Sequence, residues 1–181
     1  MKFKVFRFKK VNSTNNTAIR IIKISKFDYG MIISETQNSG RGQYGKKWIS
    51  YKGNLFVSFF YKLENLTLSL SQLTKINCLL VKKLLSLYYK KKIIFKKPND
   101  LLIDKKKICG ILQETISKLN RKYLIVGIGI NLKKNPNIKN YPTTNLYNLI
   151  NKNVLKRKIE NELKKIFETK LTKFYKSKKI N

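Results

Sequence analysis

Histidine is absent from this chain of 181 residues, and acids number only 9 against 41 lysines and arginines. Cysteine, proline and tryptophan are scarce, at 2, 3 and 1. Without histidine no imidazole can serve as a general base. Cys78 and Cys109 lie in unlike local patterns, which excludes a disulfide framework and a cysteine metal site. Long hydrophobic runs are missing as well. Leu124-Ile125-Val126-Gly127-Ile128-Gly129-Ile130 is among the longest, well short of the ~20 residues a membrane span needs. Met1-Lys2-Phe3-Lys4 leads straight into an alternating segment with no apolar signal region, and no internal repeat occurs. The expectation is a soluble, reduced, cytoplasmic protein with no membrane contact. Residues 1–181 read as one domain, long enough to bury about 70% of the surface its unfolded chain exposes.

The net charge of +32 fits a polyanion as partner. Two explanations stand beside each other. The lysines run through every segment in company with abundant Asn and Ile, as an A+T-rich coding bias produces, and arginine occurs only at Arg7, Arg20, Arg41, Arg121 and Arg157. A dedicated nucleic-acid binder instead concentrates cations and aromatics on one face. In either case the surface attracts acidic partners in a salt-dependent way.

Phe3 to Phe8 reads as a strand. Ser13, Thr14 and Asn15 are N-cap residues ahead of a helix through Ala18 to Ile22. Met31 to Glu35 is a strand feeding a glycine-rich loop, and Asn54 to Tyr61 is the strand leaving it. Apolar residues at helical spacing (Leu73, Ile76, Leu79, Leu80, Leu84, Leu87) place a long helix from Ser71 to Tyr89. Ile93 to Lys96 is a strand stopped by Pro98. Leu101–Ile103 and Lys107–Glu114 form a hairpin turned at Asp104-Lys105-Lys106, and Tyr123 to Leu132 is another strand. Asn145–Asn151 and Leu155–Tyr175 are closing helices, the second with Ile159, Leu163, Ile166, Phe167 and Leu171 on one face. Lys176 to Lys179 reads as a frayed tail. Strands dominate the middle and helices flank them. The fold class is therefore α+β, with a mainly antiparallel mixed sheet.

Four segments carry chemistry: Gly40-Arg41-Gly42-Gln43-Tyr44-Gly45-Lys46-Lys47-Trp48, Lys96-Lys97-Pro98-Asn99-Asp100-Leu101, Lys107-Ile108-Cys109-Gly110-Ile111-Leu112, and Gly127-Ile128-Gly129-Ile130-Asn131. The first brings backbone N–H groups and cationic heads onto an anion. Joining a carboxylic acid to a lysine through an acyl-adenylate needs such a loop, because two anions, the carboxylate and the α-phosphate of ATP, must approach each other. Arg41 with the Gly42 and Gln43 amides suits that task, and Lys107 is the second fixed cation. Gly110, three residues on, leaves space at the strand. Asn99 and Asp100 form either a plain turn or a nucleotide contact with a carboxylate near Mg²⁺ or a cationic partner. Gly127 and Gly129 share one strand face, where either a ligand or another part of the chain comes close. Asn131, on the same face, orients a polar ligand group or ends the strand. Ser13-Thr14-Asn15 is a helix cap, or with Gln37 it binds a neutral polar head. Trp48 stacks on adenine or anchors its loop.

In this order and spacing the segments resemble the catalytic domain of biotin–protein ligases, relatives of lipoate ligases and, more distantly, of class II aminoacyl-tRNA synthetases. The resemblance runs from Ser13 to Asn131 and extends weakly through Pro142-Thr143-Thr144-Asn145-Leu146. It implies that Ser13, Thr14, Asn15 and Gln37 bind biotin and that Gly40, Arg41, Gly42 and Gln43 order over biotin and the adenylate. Lys107 contacts carboxyl and phosphate, with Gly110, Gly127 and Gly129 around the biotin. Trp48, Asn99, Asp100 and Asn131 then face the nucleotide. The implied cofactors are ATP, biotin and Mg²⁺, with no resident metal site. The implied partner is a biotin carboxyl carrier domain of a biotin-dependent carboxylase, and edge-strand pairing would give a homodimer.

Three departures stand out. The family's Gly-Arg-Gly-Arg is Gly-Arg-Gly-Gln here, which removes a cation at Gln43. Lys97 replaces the tryptophan of Lys-Trp-Pro-Asn-Asp. Neither an N-terminal winged-helix domain, and so no DNA-repressor role, nor a C-terminal SH3-like domain is expected. The alternatives are a lipoate or octanoate ligase on the same fold, which requires an apolar tunnel in place of hydrogen-bonding groups, and a basic nucleic-acid-binding protein on a degenerate ligase fold.

Overall fold

The structure is a computed structural model that describes residues 2–63 and 68–176, with side chains through residue 173. The chain runs β1 (Lys4–Val11), α1 (Thr14–Ile24), β2 (Tyr29–Gln37), a single 3-10 turn (Gln43–Gly45) and β3 (Leu55–Lys62). It continues through α2 (Leu70–Leu85), β4 (Ile94–Lys96), β5 (Asp100–Ile103), β6 (Lys106–Lys118), β7 (Arg121–Ile130), α3 (Leu146–Ile150) and α4 (Lys156–Lys176). The strands form one seven-stranded sheet in the order β1-β2-β3-β7-β6-β5-β4. Only β1 and β2 pair in parallel, joined by α1, and the rest of the sheet is antiparallel. No described helix is long and apolar enough to cross a membrane.

Side-chain alternation divides the central strands between two layers. Met31, Ile33, Val57, Phe59, Tyr61, Leu124 and Val126 face the larger core with Leu73, Val81 and Leu84 of α2 and Ile159, Leu163, Phe167 and Leu171 of α4. Phe59 and Phe167 stack with ring centroids 4.2 Å apart. The intervening residues Ile32, Phe60 and Ile125 face Ala18, Ile21 and Ile22 of α1 on the other side. Helix α1 covers only part of that second face. Beyond its N-terminus the same strand rows continue with small residues (Ser58, Gly110, Gly127 and Gly129), which leaves a hollow over the sheet.

The closing helix follows its expected apolar face, but β1, β2 and β6 run longer than expected, β7 starts and ends two residues earlier, and α2 ends sooner. Helix α2 stops at Leu85, and Ser86 to Tyr89 continue as turns in which Leu87 is 50% exposed; Leu79 also faces outward. The apolar spacing there runs past the helix because Tyr89 and Ile93 rejoin the core from non-helical backbone. Strand β6 extends to Lys118 and β7 starts at Arg121, across a two-residue turn whose Leu119 and Asn120 both have positive φ (45° and 56°). The expected tail beyond Lys176 lies outside the described residues.

Candidate active site

The hollow is a cavity of about 800 Å³ lined from α1, the glycine loop, β5, β6, β7 and the segment after β7. Ser13, Thr14, Asn15, Gln37, Arg41, Gly42, Gln43, Trp48, Asn99, Asp100, Lys107, Gly110, Gly127, Gly129 and Asn131 all line it. Of the residues singled out in the sequence, Gly40 alone is not at its wall. Gly40 acts one step back: its carbonyl accepts from the Trp48 N–H at 2.8 Å and closes the loop. A Cβ there would meet the Trp48 carbonyl at 2.4 Å, so the closure requires glycine.

One end of the cavity is polar. Ser13 caps α1, its hydroxyl accepting from the Asn16 N–H at 3.5 Å, which turns Thr14 and Asn15 toward the sheet. Gln37, at the end of β2, accepts from the Thr14 N–H at 2.8 Å, and its own amide donates to the Ser50 hydroxyl at 3.1 Å. The Ser58 hydroxyl lies 2.7 Å from the Thr14 hydroxyl and 2.6 Å from the Asn15 Oδ1. The Thr14 hydroxyl is also 3.1 Å from Gln37 Oε1. Two hydroxyl protons are shared among three O···O contacts, so one acceptor oxygen of the cluster is always left without a hydroxyl donor and can accept from a ligand N–H. Ser58 is fully buried. It escapes the sequence reading, although a lone serine within Leu55-Phe56-Val57-Ser58-Phe59-Phe60 is the signal that marks it.

The glycine loop folds as a small hairpin, with Arg41 and Lys47 bridged and Tyr44 and Gly45 at positive φ (53° and 73°) at its tip. Arg41 Nη2 reaches the Glu114 carboxylate of β6 at 2.6 and 2.8 Å, and Asn15 donates to the same carboxylate at 2.7 Å. Glu114 therefore ties the loop and the helix start to the sheet, a role that sequence reading did not assign. The Gly42 amide is engaged too, donating to the Lys46 carbonyl at 2.6 Å. That N–H, expected to face an anion, is used here to close the loop on itself.

The space over the glycines is filled by the chain's own side chains. A Cβ at Gly129 would lie 2.4 Å from Trp48 Cε2, one at Gly110 2.7 Å from Trp48 Cζ3, and one at Gly127 2.3 Å from Asn15 Oδ1. The room expected beside Gly110 for a ligand is a seat for the indole, so glycine there lets the loop lie flat on the sheet. Trp48 anchors its loop and still lines the cavity, with its Nε1–H buried and unpartnered. The Asn131 Oδ1 is likewise buried without a partner, while its amide donates to the Thr144 carbonyl at 3.1 Å. Two unpaired polar atoms on one wall are available to a ligand.

The second cation sits in a cage. Lys107 Nζ is 2.8 Å from Asp100 Oδ1 and 5.4 Å from the ring centroids of both Trp48 and Tyr141. The Tyr141 hydroxyl donates to the other Asp100 oxygen at 2.6 Å, and burial together with that carboxylate pushes the phenol above its ordinary range. Lys107 is held by backbone as well: its N–H donates to the Pro142 carbonyl and its carbonyl accepts from the Thr144 N–H. Of the two readings of Asp100, the cationic partner is the one present. Asn99 donates to the Ile111 carbonyl at 2.6 Å and accepts, at its own carbonyl, from the Ile111 N–H at 3.0 Å. Its side-chain N–H thus fixes β6, and Asn99 lines the cavity. Tyr141 carries no motif and could not be placed from sequence.

Lys46, Lys47, Lys96, Lys97 and Lys139 add charge around the opening, and Asp100 is the one carboxylate among the described lining residues. No group of three or more acidic, thiol or imidazole side chains occurs among the described residues that would hold a resident metal. Burial pushes the Cys78 thiol up to about 12 and raises Cys109 well above its ordinary value, so neither supplies a thiolate nucleophile. A cavity that combines hydrogen-bonding groups, two held cations and exposed lysines can accept an uncharged polar head, a carboxylate and a phosphate.

Relatives share this frame. The bifunctional ligase/repressor BirA of Escherichia coli is 32% identical over 125 residues, covering 67% of this chain and 38% of BirA. A biotin–[acetyl-CoA-carboxylase] ligase of Paracoccus denitrificans is 28% identical over 130 residues, covering 70% of this chain and 54% of the relative. The structure of a biotin protein ligase from Aquifex aeolicus, in complex with biotin and ATP, superposes with a TM-score of 0.81 at 29% identity, over 94% of this chain and 71% of that one. The chain thus spans well under two thirds of the length of the BirA proteins it matches. The sequence profile of the Biotin/lipoate A/B protein ligase family matches residues 7–131, and the chain belongs to that family.

Proposed function

We propose that this chain is an ATP-dependent biotin–protein ligase, activating biotin to biotinoyl-5'-AMP and passing it to a lysine of a biotin carboxyl carrier domain. The observation that carries the reading is one cavity whose wall joins a polar group (Thr14, Asn15, Gln37) and two cations, Arg41 and Lys107. A ureido head fits the polar group, whereas a lipoyl or octanoyl tail offers nothing for those hydrogen-bonding groups to meet. The biotin and ATP bound to the Aquifex aeolicus neighbour support the same substrates.

In the first step a biotin carboxylate oxygen attacks the α-phosphorus and pyrophosphate leaves. Arg41 and Lys107 offset the charge of the two approaching anions, and the lysines at the mouth face the phosphates. Asp100, the one carboxylate among the described lining residues, is the side chain that could approach an Mg²⁺ ion carried by ATP, which would supply charge neutralisation at the phosphates. In the second step the uncharged amine of the acceptor lysine attacks the acyl carbon, AMP leaves with the phosphate oxygen, and the amine gives up its proton to form the amide. Asn131 and Trp48, with unpartnered polar atoms, face the nucleotide.

The reading takes the chain as a catalytic unit acting in the cytoplasm, with the β1 edge of the sheet open to a homodimer. Incubation with ATP, Mg²⁺, biotin and a carrier domain tests it by mass spectrometry. A single added biotinoyl group on the carrier lysine is expected. An unmodified carrier in the presence of consumed ATP would contradict the acceptor class.

A further inference from the structure

We infer that the open edge of the sheet at β4 is a docking surface for an acidic face of the acceptor protein. The inference rests on the biotin-ligase reading and adds to it the chemistry of the partner and the place where it sits.

The anions of the chain are largely spent on internal contacts. Asp28, Asp100, Asp104, Glu114, Glu160, Glu162 and Glu168 each bond to a partner in the same chain, among them Tyr123, Lys107, Tyr89, Arg41, Arg7, Tyr88 and Lys164. With 41 cations and 9 acids in all, the outer lysines have few carboxylates left to answer them. Their charge therefore acts outward.

Part of that charge lies beside the cavity. Strand β4 ends the sheet with β5 as its one neighbour. Lys90, Lys91 and Lys92 precede it, and Lys96 and Lys97, at its other end, are part of the cavity wall. The pairing of Ile94 with Leu102, and the contact of the Tyr89 hydroxyl with Asp104, place the exposed turn residue Lys105 and the first residue of β6, Lys106, at the same end of the sheet as Lys92. Lysines thus line a strip that runs from the hairpin turn to the cavity mouth, with Asp104 the acid within it. Ile94 is 42% exposed midway along.

A cationic rim steers an oppositely charged partner and raises its encounter rate. The strip ends where an acceptor lysine must enter, so a partner held along it presents that lysine at the mouth. Lysine on a short edge strand also opposes pairing with another basic copy of the sheet, which leaves an acidic surface as the complementary one. Nucleic acid is the weaker match, because between the hairpin turn and Lys97 the strip has no arginine, and Tyr44, the one strongly exposed aromatic ring of the cavity wall, sits on the glycine loop rather than on the strip.

The test uses the full chain and a triple variant, Lys90→Glu, Lys91→Glu and Lys92→Glu, at positions outside the cavity wall. The probes are a recombinant biotin carboxyl carrier domain of net negative charge and a fluorescent oligothymidylate. The expected result is biotin-dependent ATP–pyrophosphate exchange at the wild-type rate, with transfer kcat/KM to the carrier reduced about tenfold or more and its salt dependence flattened. Wild-type transfer with wild-type salt dependence would overturn the inference. So would loss of oligothymidylate binding with transfer intact, which would assign the strip to nucleic acid. Failure of the underlying reading has a different signature, the absence of exchange by the wild type. Anisotropy of the labelled carrier then still decides the surface: binding by the wild type and not the variant upholds it, and equal binding overturns it.

Discussion

Gly129→Ala isolates what the flat glycine floor does. Gly129 lies outside the left-handed region, so alanine meets no backbone obstacle there and on propensity alone would strengthen the strand. The obstacle is Trp48. The new methyl would lie 2.4 Å from Cε2, 2.5 Å from Cζ2 and 2.7 Å from Nε1 of the indole, against a normal carbon–carbon contact of about 3.5–4.0 Å. The ring must therefore retreat by roughly 1 Å or leave its seat. Overpacking of this kind costs about 1–3 kcal/mol. The indole holds a surface loop rather than the main core, so the cost falls on loop closure and not on unfolding. Converted at 1.4 kcal/mol per decade, it appears as about a fivefold to a hundredfold loss in ligand affinity. Trp48 is the one tryptophan of the chain, which makes its fluorescence a direct reporter. The expected outcome is a red-shifted emission maximum, weaker biotin binding and a melting temperature near that of the wild type. Unchanged emission together with wild-type biotin affinity would refute the account of the floor.

Gln43 stands at the cavity wall, at the position where the family resemblance implies a cation, so Gln43→Arg is expected to slow escape of the acyl-adenylate. Equal release rates in a single-turnover measurement would contradict this. Glu114→Gln keeps a partner for Asn15 but removes the ion pair that ties Arg41 to the sheet. With both side chains partly exposed, stability is expected to fall by no more than about 1 kcal/mol. Biotin dissociation, followed by stopped flow, is expected to speed up, and an unchanged off-rate would count against the tether. Burial lowers the ammonium pKa of Lys156 below its usual value. Between the folded and unfolded values the unfolded chain binds more protons, so this residue's contribution to stability rises with pH through that window, and its cost is fully present at neutral pH. Lys156→Met is therefore expected to be the more stable protein in urea at pH 7, with the gap narrowing toward about pH 10.5; a constant gap would argue against it.

Local rules carried most of the fold. The Ser13 cap, the apolar rows of β3 and β7 and the apolar face of α4 each follow from period and capping, and each forms where the pattern places it. The turn at Leu119-Asn120 was hidden because leucine seldom adopts positive φ; the long β6–β7 pairing, rather than the turn residues, sets its conformation. In the site, the motif residues converge, and their partners were the part that sequence could not show. Ser58, Glu114 and Tyr141 act through contacts 43, 73 and 41 positions away along the chain. The same holds for the glycines: their spacing announces a close approach, and only the folded chain shows that Trp48 and Asn15 make it.

The central claim is that this cavity activates biotin at its carboxylate. Biotin-dependent exchange of labelled pyrophosphate into ATP reads that step alone, without an acceptor. The account predicts exchange with biotin and none with lipoate or octanoate in parallel reactions. Exchange with either acyl acid and not with biotin would keep the family and contradict the substrate; no exchange with any acid would contradict the activity itself.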